Sequence, residues 1–211
     1  MLGPRALPEG GLTFTHQPAV ADLNVPATAF LSTRPLIRGA ATGALVFSRA
    51  TGQDRVLLIQ RAAHDSMPLR WEVPGGACDL EDETMLHGLA RELWEEAGLR
   101  MTNVVRQVGK EQAFLTRRGF GVTKVTCEVE VEKPGTTVGG SGEVHPEVVL
   151  DPNEHARSVW ATEEECLGEK VEVQGEAGES EVIEIKFTTP DQKKAVLLGF
   201  KLRRETVGEQ Q

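Results

Sequence analysis

Three cysteines in 211 residues, Cys78, Cys127 and Cys166, are too few, too scattered and odd in number for a disulfide framework. None stands in a Cys-x-x-C or Cys/His spacing that would hold zinc, so a reducing compartment is the expected setting. No apolar run approaches the roughly 18 residues that a membrane-spanning helix needs. Met1 to Pro8 offers too little apolar length, with prolines at 4 and 8, to read as a secretory signal. The expectation is a cytoplasmic protein, with the nucleus as an alternative. Bases are also scarce, 23 Lys and Arg against 32 Asp and Glu for a net charge of -9. That argues against non-specific nucleic-acid binding, which depends on many Lys and Arg contacts to phosphate. It leaves a small anionic ligand open, because a bound divalent cation reverses the local field. Internal repeats are absent.

What is present is enough chain to bury one full core. Residues 1–36, rich in Pro, Thr and Ala, read as an extended N-terminal arm with a short helix at Pro26 to Leu31, where Pro26 suits a first helical position. Residues 37–211 read as the domain. Ala44 to Phe47 and Val56 to Gln60 form short apolar strands joined by a hairpin loop, and Trp71 to Val73 is a third. Val104 to Val108 and Val122 to Val131 follow, the latter alternating Val with polar residues as a half-buried antiparallel strand does. Lys133 to Glu147 reads as a long loop of the kind often used in function. Val159 to Ala161 is another strand, and Thr162 caps a helix start. Residues 168–180 are acidic and Gly-rich, Val182 to Phe187 is strand-like, and Thr189-Pro190-Asp191 opens an amphipathic helix to about Arg204. Val196, Leu197, Phe200 and Leu202 are its core-facing positions.

The chemistry concentrates in residues 74–99. Arg70 to Val73 runs into Pro74-Gly75-Gly76, then an acidic loop, then a helix closed by Gly98. At about 100° per residue, Glu92, Glu95 and Glu96 fall within about 100° of one another. Leu86, Leu89, Leu93 and Ala97 occupy a separate arc that can enter a core. Glutamates at i, i+3 and i+4 repel and weaken a helix. Converging carboxylates offset that cost by binding Mg²⁺ or Mn²⁺, hard cations that take oxygen ligands. A solvated acidic face is the plain alternative.

The segment resembles the Nudix box, G-x5-E-x7-R-E-U-x-E-E-x-G-U with U a bulky aliphatic. Arg91, Glu92, Leu93, Glu95, Glu96, Gly98 and Leu99 match every fixed position of its second half. Counting back seven residues from Arg91 lands on Glu83, but six residues separate Gly76 from Glu83, one more than the pattern has. Glu81 stands at the family spacing from Gly75, so the upstream acid is Glu83 or Glu81. The extra residue reads as a surface bulge at a solvated, acidic helix N-terminus, where deletion of Asp82 would change little.

The resemblance implies an α/β fold, a Nudix-type α/β/α sandwich with a mixed sheet and the motif helix packed against it. It implies that Glu92, Glu95 and Glu96 bind one to three divalent cations, with the backbone carbonyl near Gly76 as a further ligand. Such cations would neutralise a diphosphate and activate a water. Arg91 is assigned to orienting Glu83 or a ligand glutamate, a surface ion pair being the alternative. Related enzymes draw one more acid from a loop similar to Glu154-His155 ahead of Trp160, which makes Glu154 the candidate and Glu147 and Glu143 its rivals. His155 is open to three roles: base, substrate contact or plain loop residue. Trp71 and Trp94 read as packing residues. The implied activity is metal-dependent hydrolysis of a small-molecule diphosphate, a nucleoside diphosphate linked to another moiety such as an ADP-sugar. The alternatives are a Nudix-fold binding or regulatory module without turnover, a pyrophosphatase for an isoprenoid or inositol diphosphate, and a scaffold whose acidic helix is only surface. A homodimer is left open.

Overall fold

A computed structural model describes residues 5–116, 118–133, 144–174 and 180–208. Its frame is set by alternation along two strands, β2 (Gly39–Ser48) and β3 (Arg55–Arg61). Ala44 and Val46 of β2, with Leu57 and Ile59 of β3, enter one apolar cluster. Leu45, Val56 and Leu58 point the other way into a second cluster. A strand buried on both faces must be covered on both faces. One cover is the motif helix α2 (Met85–Ala97), joined by the short helix α1 (Ala27–Leu31) and a 3₁₀ turn at Pro18–Leu23. The other is α3 (Glu163–Gly168), α4 (Pro190–Gly208) and a two-stranded hairpin. The result is an α/β/α sandwich.

The sheet is mixed. β1 (Thr15–His16) pairs parallel with β5 (Met101–Gln107), and β5 pairs antiparallel with β7 (Gly121–Val131). β7 runs parallel to β2, and β6 (Gln112–Leu115) closes back onto β7. β3 pairs antiparallel with β2, with β4 (Trp71–Glu72) and with β8 (His155–Ala161). β2 and β3 are paired only at Phe47–Val56 and Ser48–Arg55. Beyond that point the Pro74–Cys78 backbone takes the place of β3. Ala44 N–H donates to Pro74 O and Thr42 N–H to Gly76 O, each at 2.8 Å, and Cys78 N–H to Ala40 O at 2.9 Å. The glycine turn is therefore stitched into the sheet directly beneath α2.

Helix α2 ends where its sequence indicates, at Gly98, and begins after the acidic loop. The Thr84 side chain accepts from His87 N–H at its start, and Gly98 at its end is left-handed, φ +67°. Leu86, Leu89 and Leu93 are fully buried, each contributing about 1.5–3 kcal/mol. The arm is laid against this helix. Trp94 Nε1–H donates to Ala6 O at 2.9 Å, Arg5 stacks over the Trp94 ring, and Val20, Leu23, Ala27 and Phe30 join the core under α2. Trp71 is buried on the opposite face, its Nε1–H donating to Glu184 O.

Some elements differ from expectation. The acidic stretch at 168–180 contains β9 (Lys170–Gln174), paired antiparallel with β10 (Ser180–Glu184). Val171 and Val173 alternate there with charged residues, a strand signature hidden by the surrounding acid and glycine. The strand expected over 182–187 stops at Glu184, because Phe187 bridges to Trp71 and Trp71 N–H donates to Lys186 O. α4 is pinned to the sheet by an ion cluster. Arg203 contacts Glu128 Oε1 at 2.5 Å and Asp54 Oδ1 at 2.9 Å, while Arg106 Nε approaches the other Glu128 oxygen at 2.9 Å. No helix among the described residues is long and apolar enough to cross a membrane.

Candidate active site

The site begins at the glycine turn. Gly75 has φ +141°, and a Cβ there would lie 2.3 Å from Thr42 O, so no other residue fits. That geometry aims the Gly75 N–H at α2, where it donates to Glu96 Oε2 at 2.6 Å. The Glu92 carboxylate lies against the next residue, filling the space a Cβ on Gly76 would take. The Gly76 carbonyl already accepts from Thr42 N–H, which leaves one lone pair for another partner.

Arg91 binds several acids at once. Its Nε and Nη2 donate to the two oxygens of Asp82 at 2.9 and 3.0 Å, a bidentate fork. Its Nη1 donates to Glu95 Oε2 at 2.9 Å and Glu92 Oε1 at 3.0 Å, and its Nη2 also reaches Ala77 O. Gly88, a glycine inside a helix, makes room for this: a Cβ there would meet Asp82 Oδ2 at 2.8 Å.

The third component comes from the loop before β8. Glu154 N–H donates to Asp151 O, and Glu154 O accepts from Ala62 N–H, so the backbone is held on both sides while the side chain stays exposed. Glu96, Glu154 and His155 each place a ligand atom within 4.8 Å of the others. His155 is 3% exposed, with Nε2 3.7 Å from Glu96 Oε1 and 4.0 Å from Glu72 Oε1. Glu72 is buried in β4 and paired with Arg61, which also binds Asp65 at 2.6 Å.

These acids share little solvent. Burial pushes the Glu92 carboxyl up to about 7, with Glu95 and Glu154 adding to the effect and Arg91 opposing it. Burial also raises Glu96 well above the usual carboxylate range, reinforced by Glu92, Glu72 and Glu154 and opposed by the Gly75 N–H. Glu72 behaves differently: burial raises it, but His155, Lys124 and Arg61 outweigh that and hold it below its ordinary value. Buried Glu96, mostly buried Glu92 and exposed Glu154 thus repel one another, and Arg91 reaches only Glu92 of the three. Their oxygens, with the Gly76 carbonyl, are the donor set a hard divalent cation takes.

A family profile for the NUDIX domain matches residues 38–205. The chain belongs to the Nudix family. A MutT-like protein of Streptomyces ambofaciens is 49% identical over 47 residues, which is 22% of this chain and 27% of the length of that relative. Among solved structures, an Ap4A hydrolase binary complex of C. elegans superposes with a TM-score of 0.54 at 15% identity, covering 80% of this chain and 99% of that one. The NUDIX domain of Shewanella oneidensis NrtR, complexed with ADP ribose, gives 0.54 at 16% identity over 78% and 87%. At these identities the likeness is one of fold.

Within the Nudix box the structure relocates the upstream acid. Glu83 is 82% exposed and lies 3.6 Å from His87, away from Arg91. Glu81 is also exposed. The partner of Arg91 is Asp82, whose side chain is only 8% exposed, so the loop is not a solvated bulge and α2 starts later, at Met85. Glu95 lies at Arg91 rather than in the Glu96–Glu154–His155 group. Of the rival loop acids, Glu147 is exposed and outside that group, and Glu143 lies outside the described residues. Sequence reasoning passed over Asp82, Glu72 and Arg61. Gly88 was the available signal for Asp82, since glycine in a helix interior costs about 1 kcal/mol without a reason.

Proposed function

We propose that this Nudix protein is a Mg²⁺- or Mn²⁺-dependent hydrolase of a diphosphate linkage in a nucleoside diphosphate joined to another moiety. The observation that carries the reading is the convergence of Glu92, Glu96 and Glu154, acids forced together with Arg91 bonded to Glu92 alone of the three. Glu92 and Glu96, with the Gly76 carbonyl and the Glu95 oxygen that is not bonded to Arg91, are the groups that would hold the cation. When bound, a divalent cation neutralises phosphate charge and makes water a better nucleophile. The protein's own part is orientation and proton transfer. Arg91 fixes Glu92 and Glu95, and Gly75 N–H fixes Glu96. Glu154, exposed beside the buried acids, takes the proton from the attacking water as general base.

A panel of diphosphates tests the reading with both metals, products being resolved by chromatography. It includes ADP-ribose, dinucleoside polyphosphates, nucleoside triphosphates, and diphosphoinositol and isoprenoid diphosphates. The compounds named with the two solved relatives are the first to try. Release of two phosphorylated products from a nucleotide substrate is the expected result. Binding without cleavage across the whole panel would replace it with the reading of a binding module.

A further inference from the structure

At this site both ring nitrogens of His155 are left over. It opens β8, its backbone N–H donating to Asp151 O at 2.9 Å, and the ring is enclosed at 3% exposure. Neither Nδ1 nor Nε2 has a hydrogen-bond partner among the described residues. A buried, unsatisfied imidazole is costly, and in native proteins such groups have a partner. The two carboxylates facing Nε2, at 3.7 Å for Glu96 and 4.0 Å for Glu72, are beyond hydrogen-bond reach. Glu72 is also paired with Arg61. Among the described residues no Lys or Arg pairs with Glu96.

The spacing fits a shared ion better than a direct bond. Two ligands each about 2.1 Å from one metal lie about 3 Å apart when adjacent and about 4.2 Å apart when opposite. The His155–Glu96 distance of 3.7 Å falls in that interval, and Glu154 completes a group spanning at most 4.8 Å. We propose that His155 donates an imidazole nitrogen, beside the Glu96 carboxylate and one oxygen of Glu154 whose other oxygen remains the base, to one divalent-metal position, giving this protein a mixed nitrogen and oxygen donor set. The inference rests on the metal-dependent reading above and adds the nitrogen ligand to it. Imidazole favours Mn²⁺ and later transition metals over Mg²⁺, which is best served by oxygen alone. This position should therefore discriminate against Mg²⁺ more than an all-carboxylate site.

The test is pulsed electron paramagnetic resonance on the untagged full chain loaded with Mn²⁺, prepared with natural histidine and with ¹⁵N-histidine. The expected result is a nitrogen coupling that changes from the ¹⁴N to the ¹⁵N pattern with the label. His155→Gln should abolish it and weaken Mn²⁺ binding about tenfold to hundredfold, with a smaller change for Mg²⁺. A missing coupling overturns the inference without any variant, and if His155→Gln does not fold, Gln variants of His16, His64, His87 and His145 that each keep the coupling assign it to His155. Bound Mn²⁺ without histidine coupling would overturn the inference and leave the hydrolase reading standing. A folded wild-type chain that binds no Mn²⁺ would overturn both.

Discussion

Metal-free protein should lose stability as pH rises through neutrality, and a divalent cation should restore it. The Glu92 carboxyl stands at about 7 in the folded protein against an ordinary value of 4.5. A raised value means that the folded state holds the proton more tightly than the unfolded state. Its contribution to stability is then complete below about pH 4.5 and is lost as pH climbs through about 7. At about 1.36 kcal/mol per pH unit the loss amounts to about 3 kcal/mol. The side chain is only 14% exposed, so solvent screening leaves most of this intact. For a chain of this size the loss corresponds to roughly 6–12 °C in Tm. Glu96 is raised in the same direction and steepens the slope. A cation at about a hundred times its Kd would return about 2.7 kcal/mol. Scanning calorimetry in chelator, then in Mg²⁺ or Mn²⁺, measures both effects. Glu92→Gln removes one titration and relieves Glu96, so its slope should be shallower, while groups common to both proteins cancel. A flat Tm in chelator between pH 5 and pH 8, or equal slopes in variant and wild type, would refute the reasoning.

Glu95→Gln or Glu96→Gln should abolish most turnover with the fold intact, because a metal-held charge at the transition state is worth several kcal/mol and the repulsion relieved only about 0.5; unaltered turnover at saturating metal on a verified substrate sinks the assignment. Glu154→Gln should lower kcat by roughly two to four orders of magnitude, and finding that loss in Glu147→Gln instead would move the base. Arg203→Ala should cost about 3 kcal/mol, since Glu128 is 3% exposed and would keep only Arg106; an unchanged Tm would show the cluster contributes nothing. Asp82→Asn should cost about 1.5–3 kcal/mol through the lost charged fork to Arg91, while Glu83→Gln stays within about 0.5, and the reverse order in thermal melts would restore Glu83 as the partner.

The layered fold was legible because its signals are local. The apolar runs of β2 and β3, the alternation in β7 and the leucine-striped α2 closed by Gly98 each agree with the observed burial. The site was legible only where its residues share one helix. Glu92, Glu95 and Glu96 announce themselves by spacing, but their division of labour does not. Arg91 draws Glu95 aside while Glu96 turns to Gly75 N–H. Glu72 and Arg61 meet because β4 lies beside β3, and nothing within either segment records that pairing. His155 likewise stays open among base, substrate contact and loop residue until β8 pairs with β3 and closes it in, leaving its nitrogens unsatisfied.

The acidic loop shows why counting from one end misplaced a residue. Counted back from Arg91, the pattern selects Glu83; counted forward from Gly76, five residues lead to Asp82. The two ends disagree by one, and the chain resolves the conflict at the end that is rigid. Gly76 is held in the sheet by Thr42, and the loop leaving it is shaped by Asp79 N–H donating to Asp82 Oδ2 at 2.8 Å. Arg91, on a long and flexible side chain, adapts to whichever acid the loop delivers. The extra residue is therefore absorbed between Asp82 and the Thr84 cap, where Glu83 faces solvent and no backbone pairing depends on register. An aspartate suffices for the fork because Gly88 lets it approach α2 more closely than any side chain at that helix position would allow. The shorter acid and the helical glycine are thus one adaptation, and neither reads as part of the site until the other is placed.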